Sequence, residues 1–371
     1  MELNYFKKLF NGIYQNKTVL VTGHTGFKGS WLVFWLQKMG AKVIGYALES
    51  NTKENHFNLL KNNNLTSCFA NINDKENLEK VVQKHQPDII FHLAAQALVR
   101  YSYQNPTETY QTNLIGTLNV YEVAKNCPSV KAIVSITTDK VYENQEWVWG
   151  YRENDRLGGH DPYSASKACV EIMTASYRKS FLQDYQNNNN NKILLATARA
   201  GNVIGGGDWA TDRLFPDMMR AIKNNETVNI RNPKAIRPWQ HVLEPLAGYL
   251  QLGQQLLEGK TMFADAWNFS PDVSQCIEVG DILALVKQKW DKLNFQIEQN
   301  ENQLHEANIL KLDNTKSTTL LQWTPIWNTE NTISQTVEWY KNWIENENIS
   351  TEKQLENYIA KAQEKNLIWT R

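Results

Sequence analysis

Tyr163-Ser-Ala-Ser-Lys167 is the pair of side chains in this 371-residue chain best spaced to move a proton. Pro162, directly before it, suits the first position of a helix. On a helix, residues four apart share one face. A tyrosine with an ordinary pKa of about 10 is a poor base at neutral pH. A neighbouring ammonium stabilises the phenolate and lowers that pKa, so the spacing predicts a phenol tuned to accept a hydroxyl proton. Nearby, Thr137-Thr-Asp-Lys-Val-Tyr142 follows the apolar run Lys131 to Thr137. If that run is a strand, Thr138, the acid Asp139 and the amine Lys140 fall at its carboxyl end, where ligands of a parallel sheet bind.

A second group of residues is suited to a dinucleotide. Val19-Leu-Val-Thr-Gly-His-Thr-Gly-Phe-Lys-Gly29 places Gly23, Gly26 and Gly29 between an apolar strand pattern and an amphipathic helix pattern. Glycines there permit a tight turn and close backbone approach to a diphosphate, and the helix start supplies free N–H groups. The next strand pattern ends at Glu49, about 20 residues beyond Gly29, where an acid hydrogen-bonds ribose hydroxyls in NAD sites. No arginine follows directly to meet a 2′-phosphate, which favours NAD over NADP.

The elements that must hold these residues alternate. Strand patterns at Thr18 to Thr22, Lys42 to Ala47, Ser67 to Ala70, Asp88 to Leu93, Lys131 to Thr137 and Ile193 to Ala198 are separated by helical patterns. Those helices are expected at Gly29 to Met39, Asp74 to His85 and Thr109 to Lys125. This rhythm predicts an α/β fold, a doubly wound parallel Rossmann sheet whose strands are buried on both faces. After Arg199 the rhythm changes, and a second, smaller substrate-binding lobe is expected over the sheet's carboxyl edge. Residues 1–200 and about 235–270 are assigned to the dinucleotide domain, and 201–234 and about 271–371 to the lobe. Asn187 to Asn191 is expected to be a polar surface loop. The Trp-rich stretch from Gln335 to Arg371 is expected to be helical, its tryptophans serving packing or an interface.

Composition excludes other classes. Lys+Arg and Asp+Glu are equal at 39 each, so no general field draws the chain to nucleic acid or to an anionic membrane. An anionic ligand must be held by a few placed cations. No apolar run approaches the roughly 20 residues of a membrane span, and Met1 to Gln15 lacks a secretory pattern. The four cysteines are scattered, pointing to a reducing cytoplasm, and with the seven histidines they show no metal-ligand spacing.

The chain resembles the extended short-chain dehydrogenase/reductase superfamily over nearly its whole length. The matching pieces are Thr22-Gly-His-Thr-Gly-Phe-Lys-Gly29, Phe91-His-Leu-Ala-Ala-Gln96, Asn113 with Gly116-Thr117, Thr138 and Tyr163 to Lys167. The resemblance implies a Thr138, Tyr163 and Lys167 triad supported by Asn113. It implies a nicotinamide cofactor lined by Gly23, Thr25, Gly26, Phe27, Gly29, Glu49, Ala94, Ala95 and Gln96. It also implies a homodimer or higher homo-oligomer paired through long helices.

Within that superfamily, Thr-Asp-Glu-Val-Tyr marks the sugar-nucleotide 4,6-dehydratases, in which Asp protonates a departing 6-hydroxyl and Glu removes the carbon-5 proton. Here Asp139 is kept and Lys140 replaces Glu. Asp-Lys, with Gly201-Asn-Val-Ile-Gly-Gly-Gly-Asp-Trp209, Asp212-Arg-Leu-Phe-Pro-Asp217 and Arg237-Pro-Trp-Gln-His-Val242, resembles the branch acting on CDP-glucose, which implies that nucleotide sugar as substrate. Lys140 then either steadies an enolate oxygen as a cation or, desolvated, acts as the base; the second role is preferred over the first, and simple pairing with Asp139 is the remaining, lower-ranked alternative. Arg237 is the first candidate for the diphosphate, because a guanidinium meets two phosphate oxygens. Asn202 by resemblance and Arg213 are further candidates, and Trp209 or Trp239 could pack on sugar or base. The triad alone would also suit a 4-epimerase, and Asp139 is what favours elimination. A dTDP- or GDP-linked dehydratase and a non-catalytic NAD-binding protein are the other readings.

Overall fold

The computed structural model describes residues 5–50, 52, 54–60, 65–182, 192–297 and 308–371. Asn187 to Asn191, expected as a polar loop, lies outside the described residues.

Short apolar runs form the core strands. They are β1 (Thr18–Thr22), β2 (Lys42–Ala47), β3 (Thr66–Phe69), β4 (Ile89–His92), β5 (Ala132–Ile136), β6 (Leu194–Ala200) and β7 (Ala266–Phe269). They pair in the order β7-β6-β5-β4-β1-β2-β3, all parallel. Side chains alternate across each strand. In β1, Val19 and Val21 join one apolar cluster and Leu20 the other. Both faces are therefore covered, which is why the strands read as unbroken hydrophobic runs. The order reverses between β1 and β4, opening the crevice beyond their carboxyl ends.

The helices around the sheet include α1 (Phe27–Lys38), α2 (Lys75–His85), α3 (Gly116–Lys125), α4 (Pro162–Tyr177), α5 (Leu214–Asn224), α6 (Leu243–Leu257), α7 (Val279–Lys289), α8 (Thr329–Asn346) and α9 (Thr351–Glu364). The helix expected over Thr109 to Lys125 is interrupted: Pro106–Tyr110 runs into a π turn at Gln111–Ile115 before α3. Helix α4 starts as its sequence dictates. Pro162 is at its first turn, and the Asp161 carboxylate accepts the Ser164 N–H at 2.9 Å.

Beyond β6, three two-stranded pairs frame the region above the sheet edge: Val203–Ile204 with Gln240–His241, Ile236–Arg237 with Ile277–Glu278, and Thr227–Ile230 with Asn294–Ile297. The tryptophans of the carboxyl-terminal region pack in the core. Trp339 is fully buried, and Trp369 stacks on Phe10 with ring centroids 5.1 Å apart. Among the described residues no helix is long and apolar enough to cross a membrane.

A buried ion pair fastens α4 to the sheet. Arg199 on β6 donates to Glu171 on α4 at 2.9 Å, with both side chains 3% exposed. Glu171 also accepts from Thr137 at 2.5 Å and Thr197 at 2.7 Å, while Arg199 donates to the Tyr142 hydroxyl at 2.7 Å. Removing one partner of such a pair strands a buried charge. Arg199→Met should therefore lower stability by about 3–5 kcal/mol, measured by urea denaturation; a loss below about 1 kcal/mol would show that α4 is held by packing alone.

Candidate active site

The glycine loop folds as its spacing requires. Gly23 has φ +73°, and a Cβ there would stand 2.7 Å from the Ala94 nitrogen; one at Gly29 would stand 2.1 Å from the Gly23 carbonyl oxygen. Gly26 caps α1 without any side-chain hydrogen bond, leaving the first-turn N–H groups for a ligand. Thr25 donates its hydroxyl to the Leu48 carbonyl at 2.9 Å, tying the loop to the segment that carries Glu49. Glu49 lies just past β2 and is exposed.

Across the crevice, Ala94, Ala95 and Gln96 leave the end of β4. The Ala94 N–H donates to Thr22 Oγ1 at 3.2 Å. Asn113 is fully buried in the π turn. Its Oδ1 accepts the Gln96 N–H at 2.9 Å, and its Nδ2 donates to the Gln96 carbonyl at 3.0 Å and to Ser166 Oγ on α4 at 2.8 Å. Asn113 thus fixes the backbone of this segment and joins it to the helix bearing Tyr163 and Lys167. Together, the glycine cradle, the uncapped helix start and Glu49 fit a dinucleotide with an unmodified ribose.

A cavity of about 850 Å³ opens beside this crevice, lined in part by Lys28, Thr138, Asp139, Lys140, Tyr163 and Arg213. Asp139 has no exposed surface. Its Oδ1 accepts from the Thr138 hydroxyl at 2.8 Å and from Lys140 Nζ at 3.1 Å, while Oδ2 is buried without a partner. The residue facing Oδ2 is Gly201: a Cβ there would come within 2.4 Å of it. Lys140 is thus paired with Asp139, the arrangement the sequence reading ranked below a free amine.

Tyr163 and Lys167 behave differently from the expectation of a phenol activated by its neighbour. Burial pushes the Tyr163 hydroxyl up to about 12, against a hydrogen bond with Thr138 that lowers it. Lys167 donates to the Ile136 carbonyl at 3.1 Å. Its own pKa falls to about 8, because burial outweighs the attraction of Glu171. Desolvation therefore dominates both groups, and the phenolate needs a further positive charge beside it.

The sequence-selected substrate residues Asn202, Arg213 and Arg237 all line the cavity. Arg213 is paired with Asp208 at 2.9 Å. Arg237 Nη1 donates to the Ile236 and Asn308 carbonyls at 2.9 and 3.1 Å. Both tryptophans are buried in the core; Trp239 also lines the cavity, and Trp209 packs edge-on against Tyr340. Asp208 and Lys28 are among the lining residues that were not singled out from the sequence. Asp208 follows the glycine run and orients Arg213. Lys28 is a cation inside the glycine loop itself, and that unusual placement was the available signal.

A parallel Rossmann sheet carrying this glycine loop, with Tyr163 and Lys167 on one helix beside Thr138, defines an extended short-chain dehydrogenase/reductase. Residues 20–336 match the family described as GDP-mannose 4,6 dehydratase, and the chain belongs to that family. A CDP-glucose 4,6-dehydratase of Salmonella typhimurium is 46% identical over 350 residues, covering 94% of this chain and 97% of its own length. A dTDP-glucose 4,6-dehydratase of the same organism is 23% identical over 352 residues, covering 88% and 94%. Among solved structures, an epimerase from Methanothermobacter thermautotrophicus superposes with a TM-score of 0.79 at 23% identity, over 92% of this chain and 96% of its own. A dTDP-glucose 4,6-dehydratase from Bacillus anthracis, solved in complex with NAD, gives 0.72 at 20% identity over 88% and 97%.

Gly201 makes room for the Asp139 carboxyl. Gly201→Ala should displace that side chain and reduce steady-state turnover about tenfold or more, with the fold retained by circular dichroism; unchanged turnover would show that Asp139 does not need this space.

Proposed function

We propose that the chain converts CDP-glucose into CDP-4-keto-6-deoxyglucose with a retained NAD. The observation that carries the reading is the convergence of Tyr163, Asp139 and Lys140 on one cavity beside the dinucleotide crevice. The 46% identity to the Salmonella CDP-glucose enzyme supports the nucleotide. Residues 1–200 and about 235–270 would hold the cofactor, and 201–234 with about 271–371 the nucleotide sugar.

NAD+ would lie along Gly23 to Gly29, Glu49 and Ala94 to Gln96, and when bound it supplies a hydride acceptor for sugar carbon 4 that later returns the hydride to carbon 6. Tyr163 takes the 4-hydroxyl proton, with Thr138 positioned to hold the phenol and Lys167 contributing positive charge near it. The resulting 4-ketone acidifies the carbon-5 proton. Along the 3.1 Å contact, Lys140 passes a proton to Asp139, leaving a neutral amine beside a carboxylic acid. The amine accepts the carbon-5 proton, and the acid delivers its proton to the 6-hydroxyl, which leaves as water. The pair ends the elimination as ammonium and carboxylate; as the hydride reaches carbon 6, the Lys140 ammonium gives its proton back to carbon 5, and the proton held on Tyr163 is exchanged through solvent to return Lys140 to ammonium. Asn202, Arg213 and Arg237 would hold the diphosphate, with Asp208 orienting Arg213.

The same reading places the protein in a reducing cytoplasm, consistent with four free thiols. Exposed Ile115 and Ile172, on the π turn and on α4, support a homodimer pairing through these helices. Light scattering on the eluting peak tests it, and a strict monomer overturns it.

Purified protein with NAD+ should convert CDP-glucose into a product that absorbs in alkali as a 4-keto sugar, faster than dTDP-, GDP- or UDP-glucose. Faster turnover of another nucleotide sugar overturns the choice of base. Asp139→Asn should cut dehydration by about 10²–10⁴-fold while NAD+ binding persists; an unaffected rate would remove Asp139 from the chemistry.

A further inference from the structure

Lys28 is the second residue of α1, directly after Gly26 and Phe27, and it lines the cavity that holds Asp139 and Tyr163. Its side chain makes no hydrogen bond or ion pair with any described residue. The charged groups that face it are Arg213, from the segment before α5, Lys167 on α4, and Asp139 and Lys140 beyond β5. Three of these four are cations. Each already has a partner: Arg213 is on Asp208, Lys167 on the Ile136 carbonyl, and Lys140 on Asp139. The single carboxylate in the set is engaged at Oδ1 by Lys140, and Lys28 presents to the cavity an amine without a hydrogen-bond or ion-pair partner of its own.

A half-buried amine with no partner, held among cations, is unfavourable without a bound anion. An incoming anion reverses that balance. In a chain of zero net charge, polyanionic ligands must be bound by individually placed cations. We propose that Lys28 is a diphosphate-binding residue, completed only when an organic diphosphate enters the cleft. The proposal rests on reading this cleft as a site for NAD and a nucleotide sugar. Both carry a diphosphate, and Lys28 stands between the cofactor loop and the substrate cavity.

Burial, followed by repulsion from Arg213 and Lys167, lowers the amine to about 7. Above that pH it is largely neutral in the free protein. A bound diphosphate stabilises the ammonium and raises its pKa, so binding takes up a proton, and affinity falls as pH rises above about 7.

Titration calorimetry tests this with NAD+, ADP-ribose, CDP-glucose, CDP and cytidine, each at about pH 8 in buffers of different ionisation enthalpy. The native protein should take up a fraction of a proton with at least one diphosphate ligand. Lys28→Met should abolish that uptake and weaken that ligand about tenfold or more, and Lys28→Arg should recover affinity but not the uptake. Equal loss with NAD+ and ADP-ribose assigns Lys28 to the cofactor's diphosphate. Loss with CDP and CDP-glucose, but not cytidine, assigns it to the substrate's. The proposal is overturned if the native protein binds both ligands without proton uptake, a measurement that needs no variant, or if Lys28→Met binds both within about twofold of native. Native protein that binds neither NAD+ nor any CDP ligand overturns the functional reading and this proposal together.

Discussion

The Glu171 carboxylate is where the sheet and the catalytic helix are made one body. It accepts hydrogen bonds from Thr137 at the end of β5, from Thr197 on β6, and from Arg199. Thr137 immediately precedes Thr138 and Asp139, and Glu171 lies one helical turn beyond Lys167. Two segments far apart in sequence are therefore indexed to the same buried charge. Asn113 adds a second tie, from the segment after β4 to Ser166 on the same helix. The relative placement of phenol, ammonium and acid follows from these two joints, with α4 as the common member.

Much of this was legible in the sequence, for physical reasons. Parallel strands covered on both faces must be apolar throughout, so Val19, Ile90 and Val134 announced β1, β4 and β5. Pro162 marked a helix start because its fixed φ and missing N–H suit that position. Gly23 and Gly29 were readable because no side chain fits where they sit. Less legible was whatever depends on distant partners. The π turn that carries Asn113 has no local signature. The amine of Lys140 reads as free or paired until Asp139 is placed beside it. The phenol of Tyr163 was expected to be acidified by Lys167, yet burial governs it, and burial is a property of the whole fold. Trp209 and Trp239 look alike in sequence; both are buried in the core, and only the tertiary arrangement gives Trp239 a place on the cavity wall as well.

The balance between solvation and charge also organises the cleft. Amines and a phenol are held in a poorly hydrated space, where their charged forms are costly until complementary charge arrives. Such a site is preorganised for occupancy by ionic partners. A chain with equal numbers of acids and bases can therefore be selective for anions by placement alone.

The stacking of Phe10 against Trp369 has a consequence for biosynthesis. Trp369 also packs against Trp35 on α1, with centroids 5.8 Å apart, and the Asn11 N–H donates to the Arg371 carbonyl at 3.2 Å. The apolar back of the first helix is thus roofed by residues that leave the ribosome long after it does. The patch formed by Phe10 and Trp35 is covered only once Trp369 has been made. Closing that patch joins residues more than 300 positions apart, a contact of high sequence separation that forms late.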